Sequence, residues 1–258
     1  MRPFFIGLQF LTRIAIVRQD NWTVEDFGRS VKFFPLIGAV LGLIYAAAAW
    51  LLFVFLPRQG IFLPPHFTSV CLLILPILLT GGLHCDGFMD TMDGVFSGRS
   101  RERMLEIMKD SRVGSNGVFS FTILMLLEWA MLLDLESGFL VAAAFVMPII
   151  ARLMMVAAIT LYPYARPEGM GKAFAQYADP RALLFATATA LILVLPWGPL
   201  ALAALLVCML FTAFFAHYVE KRLGGLTGDV YGAITTLNEA LVWFTFLVGS
   251  AVLTYIIR

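Results

Sequence analysis

Seven stretches of the chain are apolar enough and long enough to cross a bilayer as helices, at about 33–56, 66–83, 116–133, 138–162, 182–198, 199–219 and 239–257. A hydrocarbon core needs roughly 17 to 25 mainly apolar residues per helix. The fifth and sixth runs are short and meet at Trp197-Gly198-Pro199, so a re-entrant pair is a second reading there. Two other segments have a different pattern. The first fifteen or so residues, MRPFFIGLQFLTRIA, are apolar but broken by Gln9 and Arg13 and lack a small-residue cleavage site, which predicts an interfacial helix and not a cleaved signal. MLEIMK, 104–109, predicts a short amphipathic helix at the membrane surface.

Basic residues orient these runs, because cytoplasmic loops are enriched in Lys and Arg. Arg2, Arg13, Arg18, Arg29 and Lys32 precede or open the first run, and Arg99, Arg101, Arg103, Lys109 and Arg112 lie between the second and third. Arg166, Lys172 and Arg181 follow the fourth, and Lys221 with Arg222 follow the sixth. The alternate loops hold only Arg58 and the final Arg258. The N-terminus and every long polar loop are therefore expected in the cytoplasm. The expected fold is an all-α polytopic integral membrane protein, one domain over residues 1–258, with about seven transmembrane helices plus short interfacial helices.

Composition strengthens that picture and removes other classes. Hydrophobic residues make up 60% of the chain, charged residues 14%, and mean hydropathy is +0.88. Soluble domains carry about 25% charge. A net charge of +1 gives no case for a nucleic-acid partner. Cys71, Cys85 and Cys208 form no CxxC pair, which argues against a disulfide framework or a zinc site. A homo-oligomer is compatible with the pattern, and the lipid bilayer is the one partner it requires.

Most of the chemistry lies in 81–117. Asp86, Asp90 and Asp93 stand at i, i+4 and i+7, so on a helix their carboxylates share one face. A hard divalent cation would relieve their repulsion, since Mg²⁺ takes one or two carboxylates plus substrate phosphates. A solvated acidic face paired with nearby arginines is the alternative. Arg99, Lys109 and Arg112 follow, either as phosphate contacts or as topology signals. His84 is a candidate base or a hydrogen-bonded residue at a helix end. Gly224-Gly225-Leu226-Thr227-Gly228-Asp229 precedes the last run: Gly225 and Gly228 suit an anion nest or a plain turn, and Asp229 could complete a metal shell. Arg152 is an intramembrane charge, costing about 2.5–3.5 kcal/mol on insertion scales. It points either to a substrate phosphate or to a buried ion pair, with Glu128 as one conceivable partner. Arg166 and Lys172, in the next cytoplasmic loop, are plausible phosphate contacts.

These residues resemble the cobalamin-5′-phosphate synthase family, also called adenosylcobinamide-GDP ribazoletransferase. The resemblance rests on HCDGFMDTMDGVFSGRSRERMLEIMKDSRVGSNGV, PIIARLMMVAAITLYPYARPEGMGKAF and GGLTGDVYGA, with LTRIAIV and FFPLIGAVLGL as a weaker fourth block. It implies a Mg²⁺-dependent enzyme of the prokaryotic cytoplasmic (inner) membrane, its active site facing the cytoplasm. Its substrates would be adenosylcobinamide-GDP and α-ribazole or α-ribazole 5′-phosphate, joined with release of GMP. Carried onto this chain, Asp86, Asp90, Asp93 and Asp229 match the acidic motif positions; Arg99, Lys109, Asp110, Arg112, Arg152 and Arg166 match the polar ones. The expected metal ligands are Asp86, Asp90, Asp93 and Asp229. Asp93 or Asp110 is expected to take the acceptor's proton, with Asp86 in the catalytic set. Thr235 and Thr236 depart from the Asn-Glu often found there, and Glu239 keeps the later acid. Two rivals are weaker. A CDP-alcohol phosphotransferase would show D-x-x-D-G-x-x-A-R, whereas the spacing here is D-x-x-x-D-x-x-D-G. A membrane transporter should show matching repeats with interrupted helices, and no such pair is present.

Overall fold

The computed structural model describes residues 2–17 and 22–257. Arg18 and Arg258, both used in the charge argument, lie outside them. The helices are α1 (Arg2–Leu11), α2 (Val24–Ser30), α3 (Phe34–Trp50), α4 (Leu56–Arg58), α5 (Pro65–Thr80), α6 (Leu83–Val95), α7 (Arg101–Ile107), α8 (Ser115–Asp134), α9 (Ser137–Leu161), α10 (Met170–Tyr177), α11 (Ala182–Val194), α12 (Pro199–Leu223) and α13 (Gly228–Ile257). No strand occurs among the described residues, and a π turn at Leu51–Phe55 joins α3 to α4. The fold is all-α and polytopic.

Five helical stretches are long and apolar enough to span alone, and the number reaches seven when two bent pairs each supply one span. In those pairs α6 turns 91° from α5, and α10 lies 95° from α11. The bend after α5 is built by Gly81 and Gly82, at φ 65° and 75°, a backbone region that suits glycine. With α5 and α11 read as the spans, the bends turn α6 and α10 nearly perpendicular to them. The last helix begins at Gly228, well before the expected start near 239. Thr227 caps it, its hydroxyl accepting the Val230 N–H at 3.3 Å.

Helix α9 is the hub. Its apolar window is 83% buried, against 22% for α8, and it packs against α3, α11, α12 and α13. Gly38 and Gly42 let α3 approach closely: a Cβ at either would overlap the Pro148 or Phe145 carbonyl of α9. Small residues four apart are the usual means by which helices pack in lipid.

Candidate active site

The crossing of α6 over the start of α13 creates the site. A Cβ on Gly87 would lie 2.7 Å from the Asp229 carbonyl oxygen, and one on Gly232 3.2 Å from that of His84. Two glycines thus let the main chains touch and place Asp86 and Asp90 of α6 beside Asp229 of α13. A second constraint brings in the loop after α9. Tyr164 and Leu226 form an isolated parallel bridge: Ala165 N–H donates to the Leu226 carbonyl and Leu226 N–H to the Pro163 carbonyl, both at 2.8 Å. Arg166 is thereby held 2.8 Å from the Asp229 carboxylate.

Three carboxylates meet one guanidinium here. Asp90 is pushed up to about 7, first by partial burial, then by the charges of Asp229 and Asp86, against the opposing pull of Arg166. Arg166 is nearly buried and its Nε has no acceptor, so part of its fork is free for an anion. Among the described residues no group of three His, Cys, Asp or Glu side chains could hold a metal ion by itself. The donors still suit Mg²⁺: hard oxygens, too few to complete an octahedron, on an ion that usually fills its shell with water and substrate phosphate.

Two cavities meet at Asp86. One, of about 260 Å³, is lined by Asp86, Asp229, Arg166, Tyr164, Gly228, Phe174 and neighbours. Gly169 and Gly171 make room there for the Tyr164 ring. The other, of about 640 Å³ and more open, shares Phe10, Leu83 and Asp86 and extends past Thr12, Arg13, Gly81 and Met89.

Several expected residues sit elsewhere. Asp93 is buried and turned to the start of α8, where its oxygens accept the N–H groups of Gly114 at 2.7 Å and Gly117 at 2.8 Å. The geometry makes it the anchor between α6 and α8. Asp110 is paired with Arg112 at 2.7 Å, and that hydrogen-bonded guanidinium holds it down to about 2. The pair lines a separate surface hollow beside Asp93. Arg99 and Lys109 are exposed and line neither cavity at Asp86. Lys172 donates to the Pro167 carbonyl at 2.5 Å, closing its own loop. Gly225, at φ 153°, is a main-chain contact: a Cβ there would crowd the Pro163 carbonyl at 2.6 Å. Gly228 lines the smaller cavity.

Arg152 is fully buried and paired with Glu239 of α13, not with Glu128. It does not line the cavities at Asp86. A small cavity of about 30 Å³ near this pair is bordered by Glu239, Glu128, Thr236 and His84, and His84 also borders the 260 Å³ cavity.

Sequence reasoning passed over Gly87, Gly232 and Tyr164. The signal for the first was faint: a glycine inside a helical pattern costs about 1 kcal/mol relative to Ala and so hints at a packing reason. Tyr164 carried no such signal, because its role depends on a bridge between distant loops.

Comparison with known proteins covers nearly the whole chain. The family described as cobalamin-5-phosphate synthase matches residues 3–247. A protein of Desulfitobacterium hafniense (strain Y51) named adenosylcobinamide-GDP ribazoletransferase is 40% identical over 262 residues, covering 99% of this chain and 98% of its own length. Proteins of the same name from Desulforamulus reducens and Clostridium acetobutylicum are 40% and 35% identical, the first covering 96% of both chains and the second 95% of both. No solved structure matches.

Proposed function

The chain belongs to the cobalamin-5-phosphate synthase family, and from that premise we propose how its own residues carry out the transfer. It is a transferase of cobalamin nucleotide-loop assembly, acting as an adenosylcobinamide-GDP ribazoletransferase. The observation that carries the mechanism is the grouping of Asp86, Asp229 and Arg166 on one cavity, with Asp90 electrostatically coupled to all three and Asp86 also bordering the second cavity.

The diphosphate of adenosylcobinamide-GDP lies over the carboxylate cluster. Asp90 and Asp229 would hold Mg²⁺ there, and the ion would supply charge neutralisation on the diphosphate oxygens. Arg166 turns its free Nε toward a phosphate oxygen. The ribazole hydroxyl approaches the cobinamide-side phosphorus from the second cavity. Its oxygen forms the new P–O bond as the bridging P–O bond breaks, and GMP departs with that electron pair. Asp86 borders both cavities and is the carboxylate placed to accept the hydroxyl proton. Most of the acceleration in such transfers comes from positioning and charge stabilisation. The site faces the cytoplasm of a prokaryotic inner membrane, a reading supported by the loop charges.

The test is GMP release by purified protein supplied with adenosylcobinamide-GDP, α-ribazole and Mg²⁺. Asp86→Asn and Asp90→Asn are expected to abolish release while inserting normally. Wild-type turnover in either variant would remove that residue from the reacting centre.

A further inference from the structure

The larger cavity contains a cation that the mechanism above leaves unused. Arg13 follows α1, and its N–H donates to the Leu79 carbonyl of α5 at 2.7 Å, which fixes its main chain beside the mouth of the site. Its guanidinium lies against Gly81; a Cβ at that glycine would overlap the Arg13 Nε. The side chain is exposed to the cavity and, among the described residues, has no ion-pair partner. Among the described residues, no other lysine or arginine lines this cavity and Asp86 is its one acid.

Position gives this cation a use. In phosphoryl transfer the attacking and leaving oxygens lie roughly in line across the phosphorus. With the diphosphate and Arg166 on one side of Asp86, the acceptor enters from the side that holds Arg13. A guanidinium with free donors matches a phosphate monoester in a bidentate way and gains far less from an uncharged hydroxyl. We propose that Arg13 binds a terminal phosphate on the acceptor and sets the enzyme's preference for the phosphorylated ribazole over the unphosphorylated one. The proposal rests on the transferase reading above.

The experiment measures kcat/KM for GMP release with α-ribazole 5′-phosphate and with α-ribazole, in wild type, Arg13→Ala and Arg13→Lys. The two acceptors are assayed on the same preparation, so a misfolded fraction cancels in their ratio. The ratio of phosphorylated to unphosphorylated acceptor is expected to fall at least ten-fold in Arg13→Ala and to recover in part in Arg13→Lys. An unchanged ratio, or equal loss with both acceptors, overturns the proposal and leaves Arg13 as a topology-setting charge. A wild-type enzyme that releases no GMP with either acceptor overturns the transferase reading along with it.

Discussion

Asp93→Asn separates an anchoring role from a chemical one. The native carboxylate accepts two backbone N–H groups, at 2.7 and 2.8 Å, across the junction of α6 and α8. Asparagine can accept one of them through Oδ1 but turns its NH₂ toward the other, which leaves a buried donor unmet. Hydrogen bonds to charged groups contribute about 1.5–3 kcal/mol, and an orphaned buried donor costs about 1–3 kcal/mol. A net loss of about 2–4 kcal/mol follows. For a chain of this size about 1 kcal/mol shifts the midpoint by roughly 2–4 °C, so thermal unfolding in detergent should begin on the order of 5–15 °C lower. Below that temperature, turnover should stay within about five-fold of wild type, because Asp93 lines neither cavity at Asp86. Gly117→Ala should act on the same joint, since its Cβ would sit 2.5 Å from the Asp93 Oδ2. The double variant should therefore cost less than the sum of the two. An unchanged midpoint with lost turnover would refute this reasoning and return Asp93 to the chemistry.

Other expectations concern the rest of the site. Gly87→Ala should push α6 off α13 and cut turnover by at least ten-fold with little change in substrate KM; wild-type kcat would show that the close approach is dispensable. Arg152→Met should destabilise the protein by about 3–5 kcal/mol, because it strands Glu239 in the membrane interior, and adding Glu239→Leu should restore most of that; a double variant as unstable as the single would contradict a paired charge. The raised Asp90 gives a pH signature. Between its unfolded value of 3.8 and about 7 the folded chain holds the extra proton, so metal-free stability should fall as pH rises through that window and level off above it. Mg²⁺ competes with that proton, so the midpoint rise it causes should be small at pH 5.5 and large at pH 8; equal rises would remove Asp90 from the cation site.

Much of the architecture was readable along the chain because lipid imposes a simple demand on it. Apolar length gave the spans, five as single helices and two more when bent pairs are counted. The start of α13 was misplaced because glycines and Asp229 suggested a loop, although Thr227 followed by an acid in the first turn is a helix-start signal. The site was partly readable. Asp86, Asp90 and Asp93 look equivalent by spacing, yet the last projects one turn farther along α6 and meets α8, a distinction that needs the neighbouring helix. Glu239 was recognised as an acid but could not be matched to Arg152, since helices α9 and α13 are distant in sequence. Arg13 was counted for topology alone, because nothing near it in sequence places it beside Asp86.

The enclosure of α9 bears on how the protein assembles. Apart from Arg152, its 25-residue run is long and apolar enough to cross lipid, so surrounding it with four other helices removes almost no surface from water. Besides the Arg152–Glu239 pair to α13, shape supplies the drive: the grooves at Gly38 and Gly42, which admit the α9 backbone. A leucine in either groove would let every span insert and then stop the bundle from closing, yielding a full-length membrane protein with loosened helices and no cavity at Asp86.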